Sequence, residues 1–222
     1  MKSWVWRIIR GLLWLFIAAH IYLLALRFLP VPGTVLMAQR ALSGETIKRD
    51  WTPLDDISPH MVSAVIAAED ARFCQHEGID LEAIQTAIED NAKGGRRRGG
   101  STISQQTAKN VFLWNGGGFV RKGAEAWFTP VADFVWGKKR TMEIYLNVAQ
   151  FGPDTYGVGA ASWRYFYRPA QALRERDSAL LAAVLPNPER YRLDAPSGQV
   201  KRRAAWVRKQ MRQLGANYLD DL

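Results

Sequence analysis

The sequence predicts a predominantly α-helical domain carried on one membrane-spanning helix. Three observations point there. A long apolar run lies near the N-terminus, several later segments show helical spacing with start and stop signals, and strand-like alternation is almost absent. The 222 residues allow one ordinary domain plus an appendage.

The appendage comes first. Across residues 11–26 the one strongly polar side chain is His20, and apolar character extends back to Ile8 and on to Leu29. That is ~20 residues, enough for a helix to cross a hydrocarbon core of roughly 30 Å. A cleaved signal peptide would have a shorter apolar core and a small-residue cleavage site, and Leu26-Arg27-Phe28-Leu29-Pro30 offers none. Lys2, Arg7 and Arg10 flank the run, so the N-terminus is expected in the cytoplasm and the rest beyond the membrane. Pro30, Pro32 and Gly33 end the helix.

Residues 35–50 are mixed and assign no element. Ser58-Pro59 then reads as a helix start, with serine as cap and proline in the first turn. The helix runs into Glu69 and is apolar nearly all round, which predicts a central, buried position. A second helix spans 80–93, with Leu81, Ile84, Ala87 and Ile88 on one face. Residues 94–100, four glycines around Arg96, Arg97 and Arg98, read as a mobile cationic loop, either a solvated surface loop or, given the hydroxyl-amide stretch that follows, a substrate-gating one. They lack the lysine and preceding strand of a P-loop. Further helices are expected at 101–112, 119–136, 139–147, 156–167, 171–185 and 199–214. The basic run of the last reads as a solvated face, with contact to anionic headgroups as its alternative.

A net charge of +9 suits an anionic partner such as lipid headgroups or pyrophosphate. The topology puts the domain away from nucleic acid, and no nucleic-acid motif occurs. Cys74 is the only cysteine, so no internal disulfide forms. Histidines at 20, 60 and 76 make no ligand cluster.

Two polar stretches carry the chemistry. Glu69-Asp70-Ala71-Arg72-Phe73-Cys74-Gln75-His76-Glu77-Gly78 ends the apolar helix, and a carboxylate against an apolar wall can be tuned toward a general base's range. Asp70 points elsewhere and can orient a neighbour. Gly99-Gly100-Ser101-Thr102-Ile103-Ser104-Gln105-Gln106-Thr107-Ala108-Lys109-Asn110 offers hydroxyls, amides and a lysine with little apolar payload. Glu125 lies one helical turn after Arg121, so an intrahelical ion pair is its plain reading. With Lys109 and Lys122, these cations also suit phosphate oxygens.

These residues, with Glu143-x-Tyr145-Leu146-Asn147 and Ala179-Leu180-Leu181-Ala182-Ala183-Val184-Leu185-Pro186-Asn187-Pro188, resemble the glycosyltransferase domain of bacterial peptidoglycan polymerases. The single anchor is similar to that of monofunctional biosynthetic transglycosylases. The resemblance covers residues 62–191 and implies a lysozyme-like, all-helical domain that polymerises lipid II with inversion, releasing undecaprenyl pyrophosphate. It implies Glu69 as general base and Glu125 as a second catalytic residue at the donor pyrophosphate. Asp70, Phe73, His76, Ser101, Thr102, Gln106, Lys109, Asn110, Arg121 and Lys122 are the expected substrate-binding residues. Thr107 and Thr141-Met142 depart from the family's usual apolar residues at packing positions.

The implied organisation is a cytoplasmic tail (1–10), a membrane anchor (11–29), a juxtamembrane segment (30–56) and a periplasmic glycosyltransferase domain (57–222) at the inner membrane. Expected partners are lipid II, the growing glycan strand and membrane lipid, with other cell-wall synthesis proteins as further candidates. No cofactor is required, and a divalent cation beside the pyrophosphate stays open. Rival readings are a lytic, lysozyme-like glycan cleaver and a noncatalytic membrane-bound scaffold.

Overall fold

A computed structural model describes residues 2–92, 100–114, 116–215, 218–219 and 222. Most of the cationic loop expected at 94–100 lies outside the described residues. Nine α-helices, three single-turn 3-10 helices and three very short strands make up the regular structure among those described.

Helix α1 (Lys2–Ala25) includes a stretch, Trp4–Ala25, of mean hydropathy 1.9 that is long and apolar enough to cross a membrane. Its side chains stand free over most of its length, with Trp14 68% and Leu15 67% exposed. Only its far end is covered, where Leu23 and Leu26 are buried. There a helix from the domain supplies side-chain donors to the anchor's last carbonyls, which lack intrahelical partners. The Trp136 indole donates to the Leu23 carbonyl at 2.9 Å, and Arg140 Nε donates to Leu26 at 2.9 Å. Arg140 also reaches the Leu29 carbonyl.

Helix α2 (Val35–Leu42) follows, with Thr34 Oγ1 accepting from the Met37 amide. Strand β1 (Lys48–Arg49) then pairs in parallel with β3 (Thr155–Tyr156), which pairs antiparallel with β2 (Gln150–Gly152). This sheet was not legible as alternation because its strands span two or three residues. It binds the segment after the anchor into the domain.

Helix α3 (Pro59–Glu69) starts where expected, with Ser58 as cap and Pro59 in the first turn. Met61, Val62, Ala64, Val65, Ile66 and Ala67 are all buried, so its all-round apolar character matches a central place. Around it pack α5 (Ile103–Phe112), α8 (Glu175–Val184) and α9 (Gly198–Leu214), sharing one core with Ile103, Tyr145, Leu181 and Val207. Helix α4 (Leu81–Ala92) departs from expectation. Ala87 is buried, but Leu81 and Ile88 are 75% and 64% exposed, because α4 lies along the domain edge.

The helices expected at 119–136 and 139–147 form one element, α6 (Gly118–Val148), broken at Gly137, whose φ of 70° favours glycine. Helix α7 (Val158–Phe166) completes the set. The two departures from the family pattern sit in packing positions. Thr107 Oγ1 donates to the Ile103 carbonyl at 2.8 Å, and Met142 is fully buried.

Candidate active site

The site is built where α3, α5, α6 and α9 meet. Helix α3 ends at Glu69, whose side chain is 13% exposed and held on both oxygens. Gln106 Nε2, from α5, donates to Oε2 at 3.1 Å, and an Arg203 guanidinium nitrogen, from α9, donates to Oε1 at 3.2 Å. The Tyr145 hydroxyl donates to Gln106 Oε1 at 3.3 Å, which turns the amide N–H toward the carboxylate. Burial pushes the Glu69 carboxyl above its ordinary range, opposed by Gln106 and Arg203 and assisted by the nearby Asp70 charge.

The chain then turns sharply, and the next residues serve the scaffold. Asp70 accepts from the Ile103 amide at 2.9 Å, at the first turn of α5, where the helix dipole favours an anion. It also accepts from His76 Nε2 at 3.0 Å. Phe73 is fully buried under the Lys138 ammonium, 4.8 Å from its ring centroid. Thr102 caps α5 in a reciprocal capping box with Gln105, and its hydroxyl donates to the Gly78 carbonyl at 2.5 Å. Gly78 has a φ of 84°, and a Cβ there would lie 3.2 Å from Thr129 and Asp133 side-chain atoms. Arg72 turns outward to Asp80 and Glu82. Asp70, Phe73, His76 and Thr102, all expected to bind substrate, make these contacts within the protein.

One turn beyond Gln106 on α5 comes Lys109. Burial lowers its ammonium pKa, while Glu125 opposes that effect and Arg121 and Lys122 reinforce it. Glu125 is buried, and both oxygens are engaged: Oε2 by Arg121 at 2.6 Å and Oε1 by Lys122. The intrahelical pairing that spacing predicted is therefore present, and it gathers Lys109, Arg121 and Lys122 around one carboxylate. Asn110 is half-buried beside Lys109, and Ser101 is exposed. No group of three or more His, Cys, Asp or Glu is placed to hold a metal ion among the described residues.

Two residues at Glu69 were not singled out in the sequence. Tyr145 lay inside a quoted motif without a role. Arg203 was merged into the basic run of α9, although it follows Val200 by three residues and precedes Val207 by four. Those two valines, with Ala204 and Met211, form the buried stripe of α9, so Arg203 leaves the helix at the stripe's edge.

Comparison with known proteins identifies the family. The transglycosylase family profile matches residues 35–212. A biosynthetic peptidoglycan transglycosylase of Pseudomonas syringae pv. syringae (strain B728a) is 46% identical over 229 residues, covering 100% of this chain and 97% of its own length. A protein of the same name from Shewanella oneidensis is 46% identical over 217 residues, covering 96% of this chain and 92% of its own length. Another from Klebsiella oxytoca is 52% identical over 194 residues, covering 84% and 80%. With similarity of this extent along nearly the whole chain, the protein belongs to the transglycosylase family and is a peptidoglycan glycosyltransferase.

Proposed function

We propose that this chain polymerises lipid II into β-1,4-linked glycan strands. Glu69 takes the proton of the acceptor's 4-hydroxyl, and that oxygen attacks the anomeric carbon of the donor sugar opposite its phosphate. The bond from that carbon to the phosphate oxygen breaks, configuration inverts, and undecaprenyl pyrophosphate leaves. Lys109, Arg121 and Lys122 balance the charge on the leaving pyrophosphate. Glu125 holds the two α6 cations in place.

The observation that carries this reading is the sharing of α5. Gln106 bonds Glu69, and Lys109, one turn on, lies in the electrostatic field of Glu125, Arg121 and Lys122. Helix α5 thus touches the base through Gln106 and carries Lys109, the cation coupled to the Glu125 cluster, one turn away.

Helix α6 also supports a lipid-linked donor. Trp127 donates to His20 of α1 at 3.3 Å, and Arg121 and Glu125 lie within two turns of it on the same helix. A pyrophosphate can meet the cations while its lipid tail stays in the membrane beside α1. The positive N-terminal flank fits an inner-membrane protein with its N-terminus in the cytoplasm and its domain in the periplasm. Membrane lipid, lipid II and the growing strand are then its partners.

Incubating the full-length protein with lipid II in lipid vesicles tests this. Long strands with release of the lipid pyrophosphate are expected. Cleavage of preformed strands without polymerisation would replace the reading with a lytic one.

A further inference from the structure

We propose that Arg203 is a positioning residue for the base, holding Glu69 ionised and aimed before the acceptor arrives. The proposal rests on the reading of Glu69 as the base. Gln106 and Arg203 take one carboxylate oxygen each, from two different helices, α5 and α9. A carboxylate held at one point on each oxygen keeps its remaining lone pairs in fixed directions, which is the preorganisation a general base needs.

The other groups around Glu69 do not supply a positive charge. Asp70, at the end of α3, is an anion already bonded to His76 and the Ile103 amide. Tyr145 from α6 and Gln106 from α5 are neutral donors. On α8, Glu175 pairs with Arg208 and Arg212, and Asp177 pairs with Arg168. Arg203 is therefore the cation that pairs with Glu69 among the described residues.

Its own placement fits a dedicated role. The Arg203 side chain is 30% exposed and its guanidinium lies 5.8 Å from the Trp206 ring centroid. Yet its Nε is buried without a hydrogen-bond partner. A purely solvated arginine on this basic helix would turn outward and satisfy that N–H with water, as the exposed Lys201 and Arg202 are free to do. A lysine could carry the charge, but not the planar guanidinium that donates to Glu69 and lies near the Trp206 ring.

The test is the pH dependence of kcat/KM for lipid II with full-length protein, which reports the base in the free enzyme. In Arg203→Gln the acidic limb should move upward by about one to three pH units, since an opposite charge at this range favours the carboxylate by that much. KM for the donor should stay within about twofold, because the cations at Glu125 are untouched. Arg203→Lys should move the limb less and lower kcat. An unmoved limb in folded Arg203→Gln overturns the proposal. Should that variant fail to fold, Arg203→Lys with the wild-type limb and kcat overturns it instead. Glu69→Gln separates the two readings: full activity there removes the base itself, whereas an inactive Glu69→Gln beside an unmoved Arg203→Gln limb removes only the role of Arg203.

Discussion

Asp70 ties the end of α3 to the start of α5 through the Ile103 amide, which donates to its carboxylate at 2.9 Å. Glu69 and Gln106 stand on those two helices, so this bond sets the spacing between the base and the amide that holds it. Asp70 is buried, and removing it strands the Ile103 N–H and frees His76. Asp70→Ala should cost about 2–4 kcal/mol in two comparable parts, the stranded donor and the lost charge-assisted bond. Thermal unfolding of the variant, read beside its activity, checks this: both should fall together.

Glu69 works against the fold it sits in. Its raised pKa means that folding disfavours the ionised form relative to the unfolded chain, so the carboxylate costs stability at neutral pH. Stability is fully present below the ordinary glutamate range and is lost as pH rises through the elevated folded pKa. Glu69→Gln keeps an acceptor for Arg203 without the buried charge. Its Tm should exceed the wild type's at pH 7, with the gap closing at pH 4, by differential scanning calorimetry.

Lys109 should make donor binding sensitive to alkali. Burial lowers its pKa, so it loses its proton at a lower pH than a free lysine. Affinity for a lipid-pyrophosphate analogue should weaken on the alkaline side before ordinary lysines titrate, and Lys109→Arg should extend the range upward. Lys109→Ala should cost about 1.5–3 kcal/mol, the value of one charge-assisted phosphate contact. Isothermal titration of the two variants against one analogue separates charge from contact.

Arg140 locks the anchor to the domain by donating to the Leu26 and Leu29 carbonyls. Arg140→Ala should leave those carbonyls to water and loosen the 27–33 connection. Faster proteolytic nicking there, with slower turnover of membrane-bound substrate, is the expected pair of outcomes.

How much of this could be read from the chain depends on the range of each interaction. Ser58-Pro59 marked the start of α3 because capping is local, and the break at Gly137 was legible for the same reason. The spacing of Arg121 and Glu125 foretold their ion pair. Pairing of Lys48 with Thr155 was invisible, since it joins two-residue strands far apart in sequence. Leu81 and Ile88 showed a helical stripe, but a stripe does not say whether anything covers it. At the site, residue types named the chemistry while the division of labour waited for the fold. Phe73 lies under Lys138, Thr102 bonds the Gly78 carbonyl, and Arg203 reaches Glu69 because α9 packs onto α3.

The central claim is that Glu69 is the base of strand synthesis. The most direct measurement is the rate of glycan-strand formation from lipid II by full-length Glu69→Gln beside the wild type, with lipid II binding measured on the same samples. The account predicts a loss on the order of 10²–10⁴ in rate or more, with binding and fold retained. Strand formation at the wild-type rate by the folded variant would contradict it.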